Sequence, residues 1–228
     1  MAELIDQYFV KHLAIPFDEA VRLHREYYTN YGLAIEGLVR HHQIDPLDYN
    51  AKVDDALPLE DIIRPNPELR RLLENIDKSK VKMWLFTNAY VTHGRRVVKL
   101  LGIDDLFDGL TFCDYAEQPL ICKPHPEMYK KGMREAGVLR PQDCYFVGSC
   151  PADPLPHVPH RATGTQVADP GKDDSYLNCV KAKEVGWTAA HLVEEGLPVP
   201  KTQASQYQIR DLRELRDIYP QFFKSRPA

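Results

Sequence analysis

Several things are scarce or absent in these 228 residues. No apolar run approaches the roughly 18 residues needed to cross a membrane as a helix. The opening stretch MAELIDQYFVKHLAIP has no basic start, no long apolar centre and no small-residue cleavage site, so it does not read as a secretory signal. No block of like charges suggests a tail. A net charge of −4 gives no electrostatic reason to expect nucleic-acid binding. No GxGxxG follows any strand-like run, which argues against a dinucleotide-binding oxidoreductase. Cysteine is sparse too. Cys113, Cys122, Cys144, Cys150 and Cys179 are odd in number, scattered, and never spaced as CxxC. They read as reduced thiols in a cytoplasmic protein, with the nucleus as the alternative compartment.

What is present falls into two textures. Residues 1 to 63 read as all-helical. In FDEAVRLHREYYTNYG, Phe17, Ala20, Val21, His24, Tyr27, Tyr28 and Tyr31 recur at three- and four-residue spacing. YGLAIEGLVRHH continues as helix after a break at Gly32, and Pro46 sits near the first turn of another helix. From residue 64 onward, strand-like and helix-like segments alternate. NPELRRLLENI is an amphipathic helix with Asn66 as N-cap and Pro67 at the first helical position. VKMWLF (Val81–Phe86) reads as a buried strand, and THGRRVVKLLG as a helix stopped by Gly102. Next come LTFCDY as strand, HPEMYKKGMREAG as helix, CYFV as strand, SYLNCVKAKEVG as helix and WTAAHLV as strand. Repeated strand-then-helix units predict an α/β fold, a Rossmann-like parallel sheet covered on both faces, preceded by a helical cap.

In such folds the loops at the carboxyl ends of strands form the binding crevice. Thr87 and Asn88 follow VKMWLF, Lys123 follows LTFCDY, and Asp173 and Asp174 follow CYFV after a long gap. Each has a bland reading: a turn, a solvated loop lysine, an N-cap pair beside a helix dipole. Together they are the parts of a phosphate-and-cation site. Thr87 can donate to a phosphoryl oxygen, and Lys123 can neutralise developing charge. Asp173 and Asp174 can hold Mg²⁺, which prefers carboxylate and water oxygens.

The order WLFTNA, CKPHPEMY and YFV…DDSYLN resembles motifs two, three and four of the haloacid dehalogenase superfamily of phosphohydrolases. YYTNYGLAIEGLVRHHQIDPLDYNAKVDDALPLEDII and LLGIDDLFDGLTFCDYAEQPLICKPHPEMY look like its fungal pyrimidine 5′-nucleotidase branch. The resemblance implies a Mg²⁺-dependent phosphomonoesterase acting on a pyrimidine nucleoside 5′-monophosphate. Thr87 would bind the transferring phosphoryl group, with Asn88 beside it. Lys123 would stabilise a phosphoaspartyl state. Asp173 and Asp174 would hold Mg²⁺, and Asn178 would support them. The helical cap (1–63) would select the nucleoside, and 64–228 would form the α/β core. No nucleic-acid or membrane partner is implied.

Two departures stand out. Family members begin with a central strand ending in DxD, whose first Asp attacks phosphorus and whose second acts as general acid/base. No DxD occurs here. Asp54–Asp55 and Asp104–Asp105 are adjacent pairs in loop or helical contexts. The chain as written is therefore expected to be inactive, with its sheet either gapped or carrying exposed edges. A non-catalytic phosphate- or nucleotide-binding relative is the alternative.

The second departure is Gly148–Lys172, 25 residues with five prolines and no periodicity, which separates the strand from the acids. Removing it restores the family pattern in frame, and codon degeneracy permits splice signals at both ends. It reads as a retained intron, or else as a genuine surface loop with a function of its own; as translated it is expected to pack poorly. His157, His160 and Cys150 within it match no standard zinc spacing.

Overall fold

A computed structural model of the chain describes residues 1–149, 174–193 and 199–225. The insertion lies almost wholly outside these residues, as do Cys150 and Asp173. The side chain of Asp174 is not described either.

Five helices come first: α1 (Ala2–Leu13), α2 (Phe17–Tyr31), α3 (Ala34–His41), α4 (Pro46–Lys52) and α5 (Leu59–Ile62). Their boundaries follow local chemistry. α2 buries Ala20, His24 and Tyr27, one face at helical spacing. It stops at Gly32, whose φ of 82° suits a residue without Cβ and whose N–H reaches Tyr28 O. Asp45 caps α4 by accepting from the Leu47 N–H at 2.9 Å. The helices share an apolar cluster built on Phe9, Ile35, Leu38 and Val53. That cluster also takes in Cys113, Tyr115, Leu120 and Cys122 from much later in the chain.

The remaining elements are α6 (Pro67–Glu74), β1 (Trp84–Phe86), α7 (Val91–Leu100), β2 (Gly109–Thr111), α8 (Pro126–Ala136), β3 (Tyr145–Ser149), α9 (Asp174–Glu184), β4 (Thr188–Leu192), β5 (Tyr207–Ile209) and α10 (Leu215–Ile218). α6 begins as expected, with Asn66 Oδ1 accepting the Leu69 N–H at 2.9 Å ahead of Pro67. α8 ends at Gly137 (φ 70°), and the turn after α9 carries Gly186 (φ 90°).

The strands are parallel, as the alternating pattern predicts, but among the described residues they do not form one sheet. β1 pairs only with β2, and β3–β4–β5 form a second sheet. Between the two sheets the contact is made by side chains. Phe86 of β1 meets Phe146 of β3, Tyr129 of α8 and Trp187, with ring centroids 6.0, 5.3 and 5.6 Å away. Packing of this kind, edge-on to Phe146 and Tyr129 and tilted to Trp187, buries area without any backbone ladder.

The expectation of a buried strand over 81–86 is corrected. Only Trp84–Phe86 is strand, and it is half-buried. Among the described residues it has a ladder partner on one edge alone. LTFCDY is also shortened, because Cys113 and Tyr115 leave the sheet to join the helical cluster. β5 and α10 carry no pattern that the alternation revealed.

Candidate active site

The carboxyl end of β1 organises the site. The Thr87 N–H donates to Thr111 O at 3.0 Å, so Thr87 is directed at β2. Backbone groups alternate along a strand, so Phe86 presents its carbonyl to the opposite edge, the one facing β3. Lys123 Nζ donates to that carbonyl at 2.9 Å. The same ammonium lies 5.0 Å from the Phe86 ring centroid and 5.6 Å from that of Phe146. It therefore stands between the two sheets, against two aromatic rings that favour a cation. Lys123 is only 9% exposed, so its charge is largely withdrawn from water.

Asn88 joins this arrangement through its carboxamide. Its Oδ1 accepts the Lys123 N–H at 2.7 Å, and its Nδ2 donates to Lys123 O at 2.9 Å. Thr87, between Phe86 and Asn88, accepts the Ala89 N–H on Oγ1 at 3.0 Å. Its hydroxyl hydrogen has no acceptor among the described residues and can be donated to a ligand. Thr87, Asn88 and Lys123 thus lie at one strand end, although 35 residues separate Asn88 from Lys123.

The helical region closes on the same loop. Cys122 Sγ donates to Glu36 Oε2 at 3.0 Å, and Arg40 Nε holds Glu36 Oε1 at 3.0 Å. The Cys122 thiol is pushed far from ionisation by its hydrogen bond with the Cys113 thiol, then by burial and the Glu36 charge. Neither buried thiol suits a nucleophile. Among the described residues Cys113, Cys122 and Cys144 form no disulfide.

Asn178 approaches from α9. The Tyr129 hydroxyl donates to Asn178 O at 2.8 Å, and the Tyr129 ring packs on Phe86, which links α9 to the end of β1. Asn178 is 4% exposed and its Oδ1 has no donor among the described residues. A buried carbonyl oxygen of this kind suits a ligand or support role. Asp174 is the first residue of α9, whereas Asp173 is outside the described residues. Among the described residues no three acidic, His or Cys side chains converge as a metal site. No described helix is long and apolar enough to cross a membrane.

The Asn88 clamp, the Phe86 carbonyl and the Glu36–Cys122 contact escape a reading of the sequence. Each is a bond to backbone or to a distant side chain, and no spacing rule encodes it.

The model of the haloacid dehalogenase-like hydrolase family matches residues 3–153, well over half of the chain. The chain belongs to that family. It is 42% identical over 155 residues to Phosphate metabolism protein 8 of Saccharomyces cerevisiae, an alignment covering 64% of this chain and 48% of that protein. The chain thus spans about half the length of this relative. Among solved structures it is similar to a HAD phosphatase from Thermococcus onnurineus, at 19% identity and TM-score 0.53, covering 95% of this chain and 87% of the other. It is also similar to L-2-haloacid dehalogenase from Xanthobacter autotrophicus with chloropropionic acid covalently bound, at 14% identity and TM-score 0.51, covering 96% and 85%. These structural likenesses establish a shared α/β fold.

Proposed function

We propose that this hydrolase-family chain carries the phosphate-binding half of a Mg²⁺-dependent phosphomonoesterase for pyrimidine nucleoside 5′-monophosphates. The observation that carries the reading is the placement of Thr87 and Lys123 together at the end of β1. A hydroxyl donor beside a nearly buried ammonium suits a phosphoryl group, because low dielectric strengthens both interactions. The name of the yeast relative, which refers to phosphate metabolism, agrees with phosphoryl chemistry. The pyrimidine specificity rests on the resemblance of residues 27–63 and 100–129 to the nucleotidase branch.

Mg²⁺ would be held by Asp173 and Asp174 with Asn178 in support. The buried, undonated Oδ1 of Asn178 fits such a role. The cation would offset negative charge on the phosphoryl oxygens. Within the chain, Lys123 would hold the anion, Thr87 would orient it, and the aromatic wall of Phe86 and Phe146 would exclude water.

None of these 228 residues supplies a DxD pair, and a second reading follows. As written, the chain binds the phosphate of a nucleotide without hydrolysing it. Among the described residues β1 and β3 each have a strand partner on one edge alone, which favours this reading, since the resemblance implies a central first strand ending in DxD.

The test compares two proteins in phosphate release from UMP and CMP with Mg²⁺. One is the 228-residue chain. The other is the same chain extended at its N-terminus by an apolar strand ending in DxD. Turnover only in the extended protein is expected. Robust turnover by the 228-residue chain would overturn the second reading, and inactivity of both on every phosphomonoester would overturn the first.

A further inference from the structure

We infer that Asn88 is a positioning residue for Lys123 and not a substrate ligand. This assignment differs from the one implied by its place beside Thr87.

A primary carboxamide offers one oxygen and two N–H groups. Asn88 directs both ends of its amide at a single residue: Oδ1 to the Lys123 N–H at 2.7 Å and Nδ2 to Lys123 O at 2.9 Å. The two bonds fix the backbone of Lys123 at the end of β1. A third bond, from Lys123 Nζ to Phe86 O at 2.9 Å, fixes the side chain to the same strand. Lys123 is thus tied at its amide, carbonyl and ammonium to two residues that flank Thr87. The loop carrying it has no strand or helix from Phe112 to His125, so no regular element orients it.

Without the clamp, the Lys123 backbone would lose both bonds that tie it to the residue after Thr87, and four side-chain torsions would set the ammonium from a less fixed start. With it, the ammonium is held over the Phe86 and Phe146 rings. A cation held in place in a nearly dry site needs little reorganisation to meet an anion. The significance for phosphate rests on the function proposed above, whereas the clamp itself does not.

The test is acetylation of the folded 228-residue chain with acetic anhydride, with rates at each lysine read by peptide mass spectrometry. Asn88→Ala should raise the Lys123 rate about tenfold, as expected when two hydrogen bonds are lost. Rates at Lys78 and Lys131 should stay unchanged, which separates local release from general loosening. Asn88→Asp keeps the acceptor for the Lys123 N–H and loses the donor to its carbonyl, so it should lie between wild type and Asn88→Ala. Binding of inorganic phosphate, measured by calorimetry on the same proteins, separates the two claims. Weakened phosphate binding with an unchanged Lys123 rate makes Asn88 a direct ligand and overturns the inference. A raised Lys123 rate supports it, even where wild type binds no phosphate and the proposed function fails. Hydrogen exchange of the unaltered chain is an independent check. The Lys123 amide should be protected, and exchange as fast as in an exposed loop would overturn the clamp.

Discussion

Gly32 lies directly against the carbonyl of Lys123. A Cβ on Gly32 would come within 2.7 Å of Lys123 O and 3.2 Å of Pro124 Cδ. The turn between α2 and α3 is therefore fitted to the loop that carries the candidate phosphate-binding lysine. The neighbouring Cys122–Glu36 hydrogen bond at 3.0 Å reinforces the same seam.

Gly32→Ala should destabilise the chain by about 2 kcal/mol or more. Part of this is the cost of a left-handed backbone at φ 82° for a residue with Cβ. The rest is a clash with backbone, which cannot rotate away. Urea denaturation would measure it, and a change under about 0.5 kcal/mol, the scale of a neutral surface substitution, would contradict the packing.

Arg96 anchors the segment between α4 and α5 from α7. It donates to Asp55 O at 3.1 Å, to Leu57 O at 2.8 Å, and to the Glu60 carboxylate. The carbonyl bonds are the ones that matter, because an exposed ion pair contributes little. Arg96→Ala should cost about 1–3 kcal/mol, and Glu60→Gln well under about 1 kcal/mol. Raising salt should leave the Arg96→Ala cost nearly unchanged. Equal costs for the two variants would mean that the ion pair dominates.

Much of this architecture was legible in the sequence, and the legible parts are local. Asn66–Pro67 and Asp45–Pro46 start helices by satisfying first-turn amides. Gly32, Gly137 and Gly186 end them by adopting positive φ. Thr87, Asn88 and Lys123 could be picked out because strand ends face a crevice. What was not legible depends on tertiary partners. VKMWLF reads as a full strand, yet only Trp84–Phe86 is strand, because among the described residues β1 has a ladder on one side. LTFCDY reads as strand-like, yet Cys113 and Tyr115 pack among helices. The role of Asn88 depends on a backbone 35 residues away.

His24 was expected on the apolar face of α2, and its partner explains how it can be buried there. Its Nδ1 lies 2.8 Å from Asp6 Oδ1 of α1, and the two residues are 7% and 4% exposed. Removing one member leaves the other buried without a partner, at about 3–5 kcal/mol. Asp6→Ala and His24→Ala should each lower stability on that scale. Replacing both with Leu should recover much of the loss, since the pair as a whole contributes little against apolar packing. Thermal unfolding of the four proteins checks this, and additive losses would show that the two residues act independently.

Asp54 predicts a pH dependence opposite in sign to that of a salt-bridged carboxylate. It is 6% exposed, and burial raises its pKa from 3.8 to about 6. His93 opposes the rise, Asp55 adds to it, and a hydrogen bond with Tyr115 opposes it. The folded chain thus holds a proton here that the unfolded chain releases near pH 3.8. Between about pH 4 and 6 the folded state binds more protons, so this residue's contribution to stability falls as pH rises. Above about pH 6 the loss is nearly complete, on the order of 3 kcal/mol for a shift of this size. Asn at position 54 stays neutral and can still accept from Tyr115. Asp54→Asn should therefore be more stable than wild type at pH 7 by about 2–3 kcal/mol and nearly equal to it near pH 4. The measurement is the difference in unfolding free energy between the two proteins from pH 4 to pH 7. A difference that stays constant, or shrinks as pH rises, would mean that Asp54 is ionised at little cost in the folded chain.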